Sequence, residues 1–168
     1  MQYYITKKPI EKAKSYLLWK FSIPYYPTSR YWTIIFAPIL YDVNNDGMLD
    51  VIANSWRDRN LYVLDSRNGE IMWSFTLPDD ARFPPVLGDI DNDGNKEIIV
   101  GVVGRVYALN CEDGSVVWNA TILDDDRLAL AFLAVADVNN DGFQEVIVSS
   151  RSSLFVLNGS EGSLLWNV

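Results

Sequence analysis

Short bursts of apolar residues, each closed by a polar turn, recur along this chain in a fixed order. LYVLD (61–65), VYALN (106–110) and LFVLN (154–158) are strand-like runs. Each leads through a turn rich in Gly, Asn, Asp or Ser (SRNGE, CEDGS, GSEGS) into a second apolar run that carries Trp73, Trp118 or Trp166. Such turn residues between apolar runs mark a chain reversal. Ahead of each pair stands a β-branched run (DVIANS, EIIVGVV, EVIVSS). A fourth apolar segment (RYWTIIFAPILY, RFPPVLG, LALAFLAVA) opens each unit. No segment holds a helical period over ten or more residues, so the pattern predicts four short strands per unit and no helix.

The units share one period. Acidic loops begin at Asp42, Asp89 and Asp137, 47 and 48 residues apart, and the tryptophans are 45 and 48 apart. An aromatic residue (Tyr62, Tyr107, Phe155) stands eleven residues before each tryptophan. Four strands at this period predict all-β blades of a β-propeller, each blade a four-stranded antiparallel sheet. The segment from Tyr3 fits the same phase and puts Trp19 where Trp73 stands one unit later. Residues 1–20 thus read as the end of a preceding blade, followed by units at 21–73, 74–118 and 119–168, all in one partial propeller domain. About three and a half blades leave apolar faces open, which predicts further blades from a longer chain or from another copy.

Composition narrows the function. The chain has 168 residues with 14 basic and 22 acidic side chains, a formal net charge of −8, which argues against nucleic acid as a partner. Ten of the 22 acids lie in the three loops, and three divalent cations would bring −8 to −2, so the acidity is local chemistry. Histidine is absent, which removes His-based zinc sites and the commonest general base. Cys111 is the single cysteine, so no internal disulfide forms, and it reads as a turn residue rather than a nucleophile. The longest apolar run, 128–136, is nine residues, too short to span a bilayer, and no signal peptide is visible.

The acidic loops have the form Asp-x-Asn/Asp-x-Asp-Gly-x-x-Asp/Glu, an oxygen-rich turn suited to a hard cation. Positions 1, 3, 5 and 9 offer side-chain oxygens and position 7 its backbone carbonyl. Site one is then Asp42, Asn44, Asp46, Met48 and Asp50. Site two is Asp89, Asp91, Asp93, Asn95 and Glu97, and site three is Asp137, Asn139, Asp141, Phe143 and Glu145. Glycine at position 6 permits the turn. An EF-hand would need a bidentate Glu at position 12 and flanking helices. Position 12 is Ala53, Val100 or Val148 and the flanks are strand formers, so the sensor reading fails. Without metal the same residues would make an Asx-rich turn. Every ligand position is filled three times over, and that favours up to three Ca2+ ions.

These loops resemble the FG-GAP repeats of integrin α-chain type, in which a phenylalanine stands six residues before the first aspartate, as Phe36 and Phe83 do here. The third unit has Ala131 at that place. The segments around Asp65, Gly69 and Trp73 are similar to quinoprotein-type (PQQ-like) propeller repeats, where an aspartate, a glycine and a tryptophan dock neighbouring blades. Asn110 and Asn158 replace that aspartate in the later units. The resemblances imply a complete propeller of seven or eight blades, structural calcium, and an extracellular or cell-surface setting. They favour a scaffold for protein or carbohydrate binding, with 25–32, 77–83 and 123–129 as candidate recognition loops. The alternative is part of a propeller enzyme, a quinone-dependent dehydrogenase or a calcium-bearing polysaccharide lyase. Repetition argues against it, since each acidic cluster recurs and a tryptophan repeated in every unit is packing rather than one cofactor platform.

Overall fold

The computed structural model describes residues 4–5, 18–22, 37–56, 58–122, 132–150 and 152–168, and the regular structure among them is entirely β-strand. Strands β1 (Tyr4–Ile5) and β2 (Phe21–Ser22) form a two-stranded sheet. Three four-stranded antiparallel sheets follow, each ordered as the chain runs. The first holds β3 (Ile39–Tyr41), β4 (Asp50–Asn54), β5 (Asn60–Leu64) and β6 (Ile71–Thr76). The second holds β7 (Val86–Gly88), β8 (Glu97–Val102), β9 (Arg105–Asn110) and β10 (Val116–Thr121). The third holds β11 (Phe132–Ala136), β12 (Glu145–Ser149), β13 (Leu154–Leu157) and β14 (Leu164–Asn167). These are the predicted blades. Each acidic loop joins the first strand of its blade to the second.

Blade two shows why its strands read as unbroken apolar runs. Side chains alternate across a strand, so a blade packed on both sides must be apolar on both faces. Ile98, Val100, Val102, Tyr107 and Leu109 enter a core shared with blade one, which includes Val43, Ile52, Leu61 and Val63. Ile99, Val106 and Ala108 face the opposite way, into a core with Val146, Val148, Phe155 and Leu157 of blade three. Every residue of β8 is buried. At roughly 1.5–3 kcal/mol for each large aliphatic side chain taken out of water, these two seams supply most of what holds neighbouring blades together.

Each seam also carries a lock. The indole N–H of Trp19 donates to the Ser66 carbonyl at 2.5 Å, Trp73 to Cys111 at 3.0 Å and Trp118 to Gly159 at 2.6 Å. The indole lies flush on a glycine in the turn of the next blade. A Cβ at Gly69, Gly114 or Gly162 would come 2.6, 2.6 or 2.5 Å from the ring of Trp19, Trp73 or Trp118. Beside each tryptophan strand the register slips by one residue: Val63 faces Trp73 while Leu64 faces Ile71, and the same slip recurs at Trp118 and Trp166. Such a bulge twists the strand and re-aims the next side chain, which puts Met72, Val117 and Leu165 at the extra position. Trp166, in the last strand, is 48% exposed.

A second aromatic contact marks two seams and is lost at the third. Phe21 meets Tyr62 edge-on at 5.1 Å between centroids, and Phe75 meets Tyr107 at 6.0 Å. The corresponding position before blade three is Ala120. A cavity of about 320 Å³ lies there, lined by Ala120, Ile122, Phe155, Leu157 and Leu164 among others.

Of the candidate recognition loops, 25–32 and 123–129 lie outside the described residues, as do Phe36 and Ala131. The third, 77–83, is held down: Leu77 and Ala81 are buried, and the Asn54 amide donates to the Ala81 and Phe83 carbonyls. Only Pro78 and Arg82 of this loop are exposed.

Candidate metal centre

The three acidic loops fold to one plan, set by backbone groups that aim the carboxylates. At position 1, Asp42, Asp89 and Asp137 each accept the N–H of the position-6 glycine, at 2.9, 3.1 and 2.9 Å. At position 5, Asp46, Asp93 and Asp141 accept the N–H of position 7, at 3.0, 2.7 and 2.8 Å. At position 9, Asp50, Glu97 and Glu145 accept the N–H of position 2, at 3.2, 3.0 and 2.9 Å. Asx-type bonds of this kind bend a short loop back on itself. The glycines take φ of 87°, 92° and 93° as anticipated, but position 4 is left-handed too, with Asn45, Asn92 and Asn140 at 55°, 61° and 64°. Asparagine tolerates that conformation. All three copies carry it there, so the left-handed position is marked in the sequence itself.

Position 2 explains where the loops sit. Val43 and Ile90 are 2% and 0% exposed and plug into the seams between blades one and two and between blades two and three, whereas Val138 is 50% exposed. The position-7 side chains point the other way, Met48 and Phe143 being about half exposed and Asn95 exposed. Loops one and two are therefore pinned at the junction with the following blade by an apolar anchor, with their carboxylates at the rim.

The sites differ in what their oxygens face. In loop two, one oxygen from each of Asp89, Asp91 and Glu97 lies within 4.8 Å of the others; among the described residues no other carboxylate trio converges this closely. Asp89 Oδ1 is buried and receives no hydrogen bond. Its counterparts are satisfied: Asp42 Oδ1 accepts the Asp46 N–H at 3.0 Å, and Asp137 Oδ1 accepts the Asn140 N–H at 2.6 Å. In loop three the Asn139 amide donates to both Asp141 and Glu145, at 2.8 and 3.2 Å. In loop one, Arg67 reaches Asp46 Oδ2 at 3.0 Å. Asp93 and Asn95 close on each other through the Asn95 amide, outside the converging trio.

Burial pushes the Glu97 carboxyl up to about 7, with Asp91, Asp93 and Asp89 adding to the rise and the Ile90 N–H opposing it. Asp50 is raised by the same main cause, burial, against the Val43 and Ser66 amides. An orphaned buried oxygen beside converging carboxylates is costly unless a cation or proton joins it. Loop two thus fits a hard cation with oxygen ligands. Cys111, 2% exposed in the seam between blades one and two, has its thiol pushed up to about 12 by burial and by Glu97 and Asp50, so it does not act as a thiolate.

The family profile described as outer membrane protein assembly factor BamB matches residues 28–168. The chain belongs to this family. No curated protein sequence gives a significant match. BamB of Moraxella catarrhalis shares the fold at 20% identity and a TM-score of 0.55, over 70% of this chain and 33% of that one. The Vibrio cholerae biofilm matrix protein Bap1 is similar at 19% identity and 0.54, over 80% and 30%. A europium-containing methanol dehydrogenase is similar at 15% identity and 0.54, over 71% and 23%. This BamB-family chain therefore spans a third or less of the length of each of these structures. The PQQ-like character of its tryptophan segments is that of its family, and its fold is common to enzymes and non-enzymes alike.

Proposed function

We propose that this part of a propeller is a calcium-supported scaffold, in which the metal fastens loops at the blade junctions and the assembled surface binds a protein or carbohydrate. The observation that carries the metal reading is Asp89 Oδ1, buried without a donor beside Asp91 and Glu97. The ligand pattern of FG-GAP repeats, present in all three loops, supports calcium over magnesium, which keeps more of its waters. A partner-binding role is supported by the fold alone, which the chain shares with proteins described as an assembly factor and a biofilm matrix component. Loops of this chemistry in extracellular modules fill at millimolar calcium, which favours an outside-facing setting.

Thermal melting in a calcium titration tests the metal reading. The midpoint should climb with calcium and return to its starting value with chelator, by mass action on the native state. A midpoint indifferent to both would overturn it. The enzyme alternative draws on the fold likeness to methanol dehydrogenase, and predicts dye reduction once a quinone cofactor is added.

A further inference from the structure

A side-chain cation from a neighbouring turn reaches loop one. Arg67, in the turn between β5 and β6, lays its guanidinium along Asp65: Nε is 2.9 and 3.1 Å from the two carboxylate oxygens and Nη2 is 2.6 Å from Oδ2. Held in that fork, its remaining nitrogen Nη1 points at Asp46 Oδ2, 3.0 Å away, an oxygen that also accepts the Asn44 amide at 3.2 Å. The other Asp46 oxygen accepts the Met48 N–H. Hydrogen bonding from Arg67 holds the Asp65 carboxyl below its usual range, and the two acids raise the guanidinium in turn. Planar two-point pairing of this kind fixes the guanidinium in direction as well as place.

Both halves of this device belong to unit one alone. Six residues before the tryptophan, where unit one has Arg67, units two and three have Glu112 and Ser160. Where unit one has Asp65 to anchor the guanidinium, they have Asn110 and Asn158.

We propose that Arg67 is a tethered counter-ion that keeps loop one from taking a divalent cation at concentrations that fill loop two, so that the three loops of this chain are graded rather than equivalent. The proposal rests on the metal reading above. To coordinate Asp46 Oδ2, a divalent ion must displace the guanidinium or sit a few ångströms from it. A unit positive charge at that range, in a water-like dielectric, weakens divalent binding on the order of tenfold. Among the described residues no cationic side chain pairs with a loop-two carboxylate, Lys96 at position 8 of that loop included, and one of its converging oxygens has no donor at all.

The test is isothermal titration of the whole chain with calcium, comparing wild type with Arg67→Gln and, as a surface control, Arg105→Gln. Wild type should show a stronger class of sites and a weaker one that fills later. Arg67→Gln should strengthen one site about tenfold, or add one that was not measurable, while leaving the strongest class unchanged, and Arg105→Gln should titrate as wild type does. Equal uptake and equal affinities in wild type and Arg67→Gln would overturn the proposal alone. Absence of calcium uptake in every protein would overturn the metal reading and this proposal together. Tryptophan emission, to which the Trp19 indole seated on the Arg67 turn contributes, checks that the substitution leaves the blade junction intact.

Discussion

Two kinds of turn recur along this chain, and both need glycine, for different reasons. In the acidic loops an added Cβ at Gly47, Gly94 or Gly142 would meet nothing within 4 Å; these positions need only the backbone angle, φ near +90°. In the blade junctions Gly69, Gly114 and Gly162 also have positive φ, from 70° to 75°, yet there a Cβ would collide with an indole. One turn is glycine for conformation, the other for conformation and for space. On the metal reading proposed above, the acidic loop is an attachment that a cation can load or leave with its strands in place. The junction turn is part of the packing that makes adjacent blades one body.

The sharpest way to break this comparison is a methyl group at each kind of glycine. Gly114→Ala should be the most damaging, about 3 kcal/mol or more in denaturant unfolding, since it both strains the turn and unseats Trp73. Combined with Trp73→Ala it should cost less than the two changes summed, because they remove the same lock. A loss for Gly114→Ala no larger than for the loop glycines would end the distinction.

Acidity comes next. Folded Glu97 keeps its proton up to about pH 7, against 4.5 for an ordinary glutamate. The folded state is the better proton binder, so this contribution is fully present below pH 4.5 and is lost as pH rises through 7. In chelator, melting temperature should fall over that window. Calcium should remove the fall by binding the carboxylate, and Glu97→Gln should flatten it without calcium.

Gly94→Ala, with free space around it, should cost about 1 kcal/mol for the left-handed angle and weaken calcium uptake. Ala120→Phe should act in the opposite direction. By restoring the aromatic contact seen at Phe21–Tyr62 and Phe75–Tyr107, it should fill the third-seam cavity and add about 1 kcal/mol. A melting temperature unchanged by Ala120→Phe would mean the cavity is wide enough to leave the ring without partners.

The blades were legible because their signals are local: strand composition, turn residues and a period that two motifs share. The glycine–tryptophan relation was legible as a spacing, though not as contact between one unit and the next. What stayed hidden is relational. The slip opposite Trp73, Trp118 and Trp166 concerns which residue pairs with which across two strands, and composition does not record it. The burial of Val43 and Ile90 looks, in sequence, like a stray apolar residue in an acidic loop. Arg67 is 21 residues from Asp46 and meets it only because β4 and β5 fold the chain back between them. Part of the inequality of the three loops was legible at position 3, Asp91 against Asn44 and Asn139, whereas the orphaned Asp89 oxygen and the Arg67 contact come from their surroundings.

The direction of the junction has a consequence for how such a chain is made. At every described seam the tryptophan comes from the earlier blade, and the glycine and carbonyl that receive it come from the later one. Synthesis runs from the N-terminus, so each indole emerges before its seat exists. A growing chain of this kind always trails one unfinished blade, with its tryptophan waiting on roughly 40 residues still to be translated. Completion moves along the nascent polypeptide as a front, one unit behind the ribosome, and a pause placed between a tryptophan and its glycine would expose one sticky face for as long as it lasted.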